Sequence, residues 1–149
     1  MLLGGTRSEL RVSADFAEYV QKLQQMAATA GFKANMNVLD LTGHYPGALY
    51  ALGAKNVGRS WLIGGYPGSD DMAIANLDRV NREDLANAWI LTEPTGPRKL
   101  PPKILERYGI DLAKDYIEVG SLESPTGTYP DRYRQHLLRP KGAPMKRPN

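Results

Sequence analysis

Apolar residues at Phe16, Tyr19, Val20, Leu23, Met26, Ala27 and Ala30 recur every three or four positions and mark one face of a helix over residues 13–30. Ser13 stands where an N-cap belongs, Asp15 suits the positive end of the helix dipole, and Gly31 supplies a left-handed stop. The period then changes: residues 37–41, Asn-Val-Leu-Asp-Leu, form the short apolar run of an interior parallel strand. Pro46 opens a helix that reaches Leu52 and ends at Gly53, with Leu49 and Leu52 turned to the core. A second strand is read at residues 59–63. A helix capped by Ser69 or Asp70 follows, running to residue 80 on Met72, Ile74, Ala75, Leu77 and Val80.

A helical turn at 81–85 leads to a strand at 88–92, and Glu93-Pro94-Thr95-Gly96-Pro97-Arg98 is a loop. Pro101-Pro102 opens a helix over 103–108 that Gly109 ends, and strands at 116–120 and 133–138 can pair as a hairpin across 124–130. Helices alternating with strands predict the α/β class: a three-layer sandwich with a mostly parallel sheet and an antiparallel hairpin at one edge. Trp61 and Trp89 fall in strands and are expected in the core. The organisation expected is a flexible segment over 1–12, one domain over 13–138, and a basic, proline-containing disordered tail over 139–149.

One turn occurs twice. Gly43-His44-Tyr45-Pro46-Gly47-Ala48 and Gly64-Gly65-Tyr66-Pro67-Gly68-Ser69 each follow an apolar run and precede a helix. Both are therefore expected at carboxyl ends of strands, where open α/β sheets bind ligands, and a crevice between the two loops is the predicted site. Its candidate residues are Asp40, Thr42, His44 and Tyr45 from the first turn, Tyr66, Ser69 and Asp70 from the second, and Glu93 after the Trp89 strand. His44 suits proton transfer, and Asp40 suits orienting it or binding a hydroxyl or cation. Asp70 and Asp71 suit helix capping first and hydroxyl or divalent-cation binding second. The glycines around Tyr66 lack the lysine of a phosphate loop, and the two carboxylates oppose a phosphate there.

With 149 residues and 42% hydrophobic content, the chain suffices for one domain with a core. It has no cysteine, which removes disulfides, thiolate metal sites and cysteine nucleophiles. Two histidines far apart in sequence give no metal-ligand pattern, and no cofactor or metal is expected. A serine hydrolase assembled from Ser69, His136 and Asp40 lacks the Gly-Xaa-Ser-Xaa-Gly elbow. The net charge of +3 is concentrated late, where Arg132, Arg134, Arg139, Lys141, Lys146 and Arg147 face only Asp131 over residues 129–149. A solvated terminus explains that run, and no basic, aromatic-studded face argues for nucleic acid.

The stretch Val38-Leu39-Asp40-Leu41-Thr42-Gly43-His44-Tyr45-Pro46-Gly47, with Tyr50-Ala51-Leu52-Gly53-Ala54 and Gly64-Gly65-Tyr66-Pro67-Gly68-Ser69, resembles the carboxy-terminal soluble region of bacterial multi-spanning membrane proteins. Ala88-Trp89-Ile90-Leu91, Leu100-Pro101-Pro102-Lys103-Ile104-Leu105 and Asp115-Tyr116 are similar to the extracytoplasmic tails of membrane-embedded sugar transferases. The resemblance covers residues 15–123 and transfers no catalytic residue. It implies a domain at the periplasmic face of a bacterial inner membrane, following a final membrane helix of the same polypeptide. The ligand implied is a glycan or lipid-linked sugar. Two other readings stay open: a free-standing, cytoplasmic hydrolase or transferase using Asp40, His44 and Asp70, and a module binding anionic lipid or nucleic acid through the basic tail.

Overall fold

The computed structural model describes residues 2–3, 8–9, 11–59, 62–126 and 131–142. Ser13 begins the domain as its pattern predicts: its Oγ accepts the Phe16 N–H at 3.1 Å and starts helix α1, Ala14–Thr29. The helix ends in a Schellman arrangement, in which Phe32 N–H donates to Ala27 O at 2.9 Å and Gly31 N–H to Ala28 O at 3.0 Å. That closure brings Phe32 back onto the core, where its ring meets Trp89 edge-on at 5.2 Å.

Before α1, β1 (Leu2–Leu3) pairs antiparallel with β2 (Ser8–Glu9). After it come β3 (Asn37–Asp40), α2 (Pro46–Leu52), β4 (Lys55–Asn56), α3 (Ser69–Leu77), α4 (Arg82–Ala86) and β5 (Trp89–Thr92). A 3-10 helix, Pro102–Tyr108, precedes α5 (Leu112–Asp115), β6 (Tyr116–Glu123) and β7 (Arg134–Pro140). Among the described residues the main sheet has five strands in the order β4-β3-β5-β7-β6. The fold is α/β with a mixed sheet.

The expected mostly parallel sheet is corrected. β3 pairs parallel with β4 and β5, but β5–β7 and β7–β6 are antiparallel and carry more of the register. The hairpin is not an appendage at the edge, because its second strand is the interior neighbour of β5, with Ile90 opposite Leu138 and Thr92 opposite His136. Hydrophobic period shows which residues are buried and does not show which strands meet.

The second predicted strand also moves. Lys55–Asn56 supplies the partner for Asn37 and Val38, whereas Leu62 and Ile63 are not in a strand; Ser60 and Trp61 lie outside the described residues. Helix α3 starts at Ser69 behind Gly68, which is left-handed at φ 83°, so neither Ser69 nor Asp70 is the cap. Asp70 and Asp71 instead occupy the first turn, where they complement the helix dipole without a side-chain cap bond. The predicted last strand extends to Pro140, taking Arg139 and Pro140 out of the expected tail. Residues 127–130 of the hairpin connection, 143–149 of the tail, and 1, 4–7 and 10 of the first segment lie outside the described residues.

Strand alternation sorts the core into two clusters. Val38, Trp89, Leu91, Leu122 and Leu137 pack with α1 and α2, while Leu39, Leu41, Ile90 and Tyr116 pack with α3, α4 and the 3-10 helix. The two-residue period then carries Asp40, Glu93 and Gln135 toward the α1 side of the sheet. These polar groups lie beyond the apolar positions Val38, Leu91 and Leu137 on the same face.

Candidate functional site

The carboxyl ends of β3 and β5 hold a buried polar chain. Tyr19, from the apolar face of α1, donates its hydroxyl to Gln135 Oε1 at 2.6 Å, and Gln135 Nε2 donates to Glu93 Oε1 at 3.0 Å. The other carboxylate oxygen, Oε2, lies 2.5 Å from His44 Nε2. Glu93 is 1% exposed and Gln135 fully buried, so both oxygens of the carboxylate serve protein groups rather than solvent. Beside this chain, Asp40 Oδ1 accepts the backbone N–H of Thr42 at 2.8 Å and its hydroxyl at 2.6 Å. Thr42 Oγ1 in turn accepts the His44 N–H at 3.3 Å. Tyr45 stands edge-on to His44 at 4.4 Å and donates its hydroxyl to Pro125 O at 2.9 Å.

Burial sets the proton affinities. Removal from water pushes the Asp40 carboxyl above its ordinary value; the two Thr42 bonds and the nearby His44 oppose that rise, and Glu93 adds to it. Burial likewise pushes the Tyr19 phenol well above its ordinary value, so Tyr19 stays a donor to Gln135. Tyr45 moves in the same direction, again chiefly through burial.

The structure thus joins Asp40, Thr42, His44, Tyr45 and Glu93, five of the eight candidates. It separates them from the second turn. An ideal Cβ on Gly43 would lie 1.8 Å from Arg98 O and one on Gly64 would lie 1.9 Å from Lys99 O, so the backbone of 98–99 runs against both turns. Gly64 N–H donates to Arg98 O at 2.8 Å and Leu100 N–H to Leu41 O at 2.9 Å, fixing that strip in place. The predicted crevice between the loops is occupied by the chain itself. Glycine is required there because a Cβ would collide with backbone atoms that cannot swing aside.

Tyr66 and Ser69 line a different cavity, of about 330 Å³, with Arg59, Met72, Asn76 and Arg79. Tyr66 is 43% exposed and Met72 64%, whereas Ser69 is 5% exposed. Asp70 is half-buried in the first turn of α3 and is not part of the cavity wall. His136 is bonded to neither turn: its Nδ1 is 2.8 Å from Glu118 Oε1, at the edge of a largely apolar cavity of about 430 Å³ that Glu93, Leu100, Pro101, Leu112 and Leu138 also line. A triad of Ser69, His136 and Asp40 does not assemble. Among the described residues, no three His, Asp or Glu side chains gather into a metal-holding group.

Two members of the buried chain have only faint signals in the sequence. Gln135 occupies an inward strand position two residues before Leu137, and a polar residue there is the one available clue. Tyr19 reads as one more apolar residue of its helix, and its hydroxyl partner is 116 positions away. Comparison with protein-family models, with curated proteins and with solved structures returned no significant match.

Proposed function

We propose that this chain is a non-catalytic α/β binding domain, the extracytoplasmic part of a bacterial multi-spanning membrane protein of the sugar-transferase kind, and that it holds a polar, glycan-like ligand beside its second Tyr-Pro-Gly turn. We read the helix groups packed on the two hydrophobic clusters as the outer layers of a three-layered arrangement. The membrane and sugar-transferase assignment rests on the resemblance carried by residues 38–54, 64–69 and 88–116. The binding assignment rests on one observation: the cavity at Tyr66 opens an aromatic face next to Ser69 and Asn76, a combination suited to a sugar ring and its hydroxyls.

The competing hydrolase or transferase reading places its chemistry at Asp40 and His44. Those groups belong to a buried assembly in which Glu93 has both oxygens engaged and Asp40 Oδ1 takes two bonds. Such saturation favours a rigid support for the turn over an acid–base pair that must exchange protons with substrate. The deciding measurement is a titration of the chain with a panel of oligosaccharides, followed by NMR, alongside Tyr66→Ala and His44→Ala. Loss of about tenfold or more in affinity is expected for Tyr66→Ala and little change for a folded His44→Ala, in line with the worth of a stacked aromatic contact. Absence of binding to every glycan, or a Tyr66→Ala protein that binds like the parent, overturns the proposal.

A further inference from the structure

The charged side chains at the cavity beside Tyr66 are both guanidiniums, and from this we infer that its ligand is an acidic sugar, one whose ring carries a carboxylate or a phosphoryl group. The inference rests on the glycan-binding reading and names its chemical class.

Arg59 and Arg79 both border the cavity, both are exposed, and neither guanidinium joins an ion pair among the described residues. A guanidinium offers only donors, in a planar fork that matches the paired oxygens of a carboxylate or phosphate. Asn76 adds to the bias. Its Oδ1 accepts the Arg59 backbone N–H at 3.0 Å, which leaves its amide N–H groups as the part able to meet a ligand. The Ser69 hydroxyl, on a residue that is 5% exposed, takes no hydrogen bond among the described residues and lies in the cavity wall.

Among the described residues, no Asp or Glu lines the cavity. The hydroxyl protons of a neutral sugar would therefore find few acceptors, whereas an anionic group would meet two forks and an amide. The nearest acids do not contradict this. Ser69, Met72, Asn76 and Arg79 follow one another at steps of three and four along a single side of the helical path, while Asp70 and Asp71 fall off that stripe. Tyr66 and Met72 supply the apolar flank for the C–H face of a sugar ring.

Carboxylate and phosphate present the same acceptor geometry, so the test must separate them. Calorimetric titrations of the chain are to be compared for a hexuronate-containing disaccharide, its neutral hexose counterpart, a hexose monophosphate and inorganic phosphate, each at low and high salt. An acidic sugar is expected to bind about tenfold or more tightly than the neutral one, with the advantage shrinking in salt and vanishing in Arg59→Gln/Arg79→Gln. Preference for the hexuronate assigns a carboxylate ligand, and preference for the hexose monophosphate assigns a phosphate ester; either supports the inference. Equal binding of neutral and acidic sugars overturns the inference and leaves the glycan-binding reading standing. Inorganic phosphate binding as tightly as hexose phosphate overturns it as well, since the sugar then contributes nothing. If no sugar binds at all, both fall together. The Arg variants carry exposed substitutions, and an unchanged melting temperature confirms that any loss is local.

Discussion

Replacing Glu93 with leucine should expose how far the buried polar chain holds the two strand ends together. The side chain is 1% exposed and serves two partners, Gln135 Nε2 at 3.0 Å through Oε1 and His44 Nε2 at 2.5 Å through Oε2. Leucine fills much of the volume but removes the acceptor that Gln135 Nε2 and His44 Nε2 share. A buried donor left unsatisfied costs about 1–3 kcal/mol, so the two together predict a loss of about 2–6 kcal/mol. Glutamine keeps an acceptor for Gln135 and can donate to His44 in its other tautomer. Glu93→Gln should therefore lose only the charge assistance, about 1 kcal/mol.

The opposing effect is desolvation of the carboxylate, which an apolar replacement relieves and which in some proteins outweighs the lost bonds. Here it is expected to lose, because Gln135 and His44 remain behind as polar groups once their shared acceptor is gone. Urea titration gives the comparison directly, and thermal melting should show about 2–4 °C per kcal/mol for a chain of this size. The double variant Glu93→Leu/Gln135→Leu should lose less than the sum of its parts, since it removes a donor along with its acceptor. A Glu93→Leu protein within about 0.5 kcal/mol of the parent, or more stable than it, would refute this account of the network.

Two further outcomes test the turns and the buried acid. Gly64→Ala should cost about 3 kcal/mol, because its Cβ would sit 1.9 Å from Lys99 O; Gly68→Ala, with open space but a φ of 83°, should cost about 1–2 kcal/mol. Equal or reversed losses in urea unfolding would show that the 98–99 strip yields to the turn. Asp40 has a folded-state proton affinity raised by burial, so the folded chain holds a proton that the unfolded chain releases near the ordinary value of 3.8. This group's contribution must then become less favourable as pH rises from that value through the raised one, the reverse of a salt-bridged carboxylate. Asp40→Asn retains an oxygen for Thr42 and should remove that decline; identical pH slopes for parent and variant would contradict the assignment.

Several local features were legible because their causes are local. Ser13 caps α1, Gly53 and Gly109 close their helices in the left-handed conformation, and Asp40, His44 and Glu93 lie at the carboxyl ends of neighbouring strands, all following from residue type and period. Residues 59–63 carry the short apolar run of a strand, yet Arg59, Leu62 and Ile63 are not in one. The pairing went instead to Lys55–Asn56, which follows Gly53 closely enough to reach the amino end of β3. The cap of α3 differs from the expected Ser69 or Asp70 because a left-handed Gly68 starts that helix without a side-chain acceptor.

Residue order alone sets the α/β class, the helix faces and the identity of most polar residues at the strand ends, since caps, turns and hydrophobic period act over a few residues. Which of these residues meet is set by the packed fold. It placed β7 beside β5, which delivers Gln135 to Glu93 across 42 positions and Tyr19 to Gln135 across 116. It also laid the backbone of 98–99 against both repeated turns, dividing one expected site into a closed cluster at His44 and an open cavity at Tyr66. Such contacts depend on strand order and on the path of a connecting loop. Those are settled by the joint packing of the whole chain, and no local spacing encodes them.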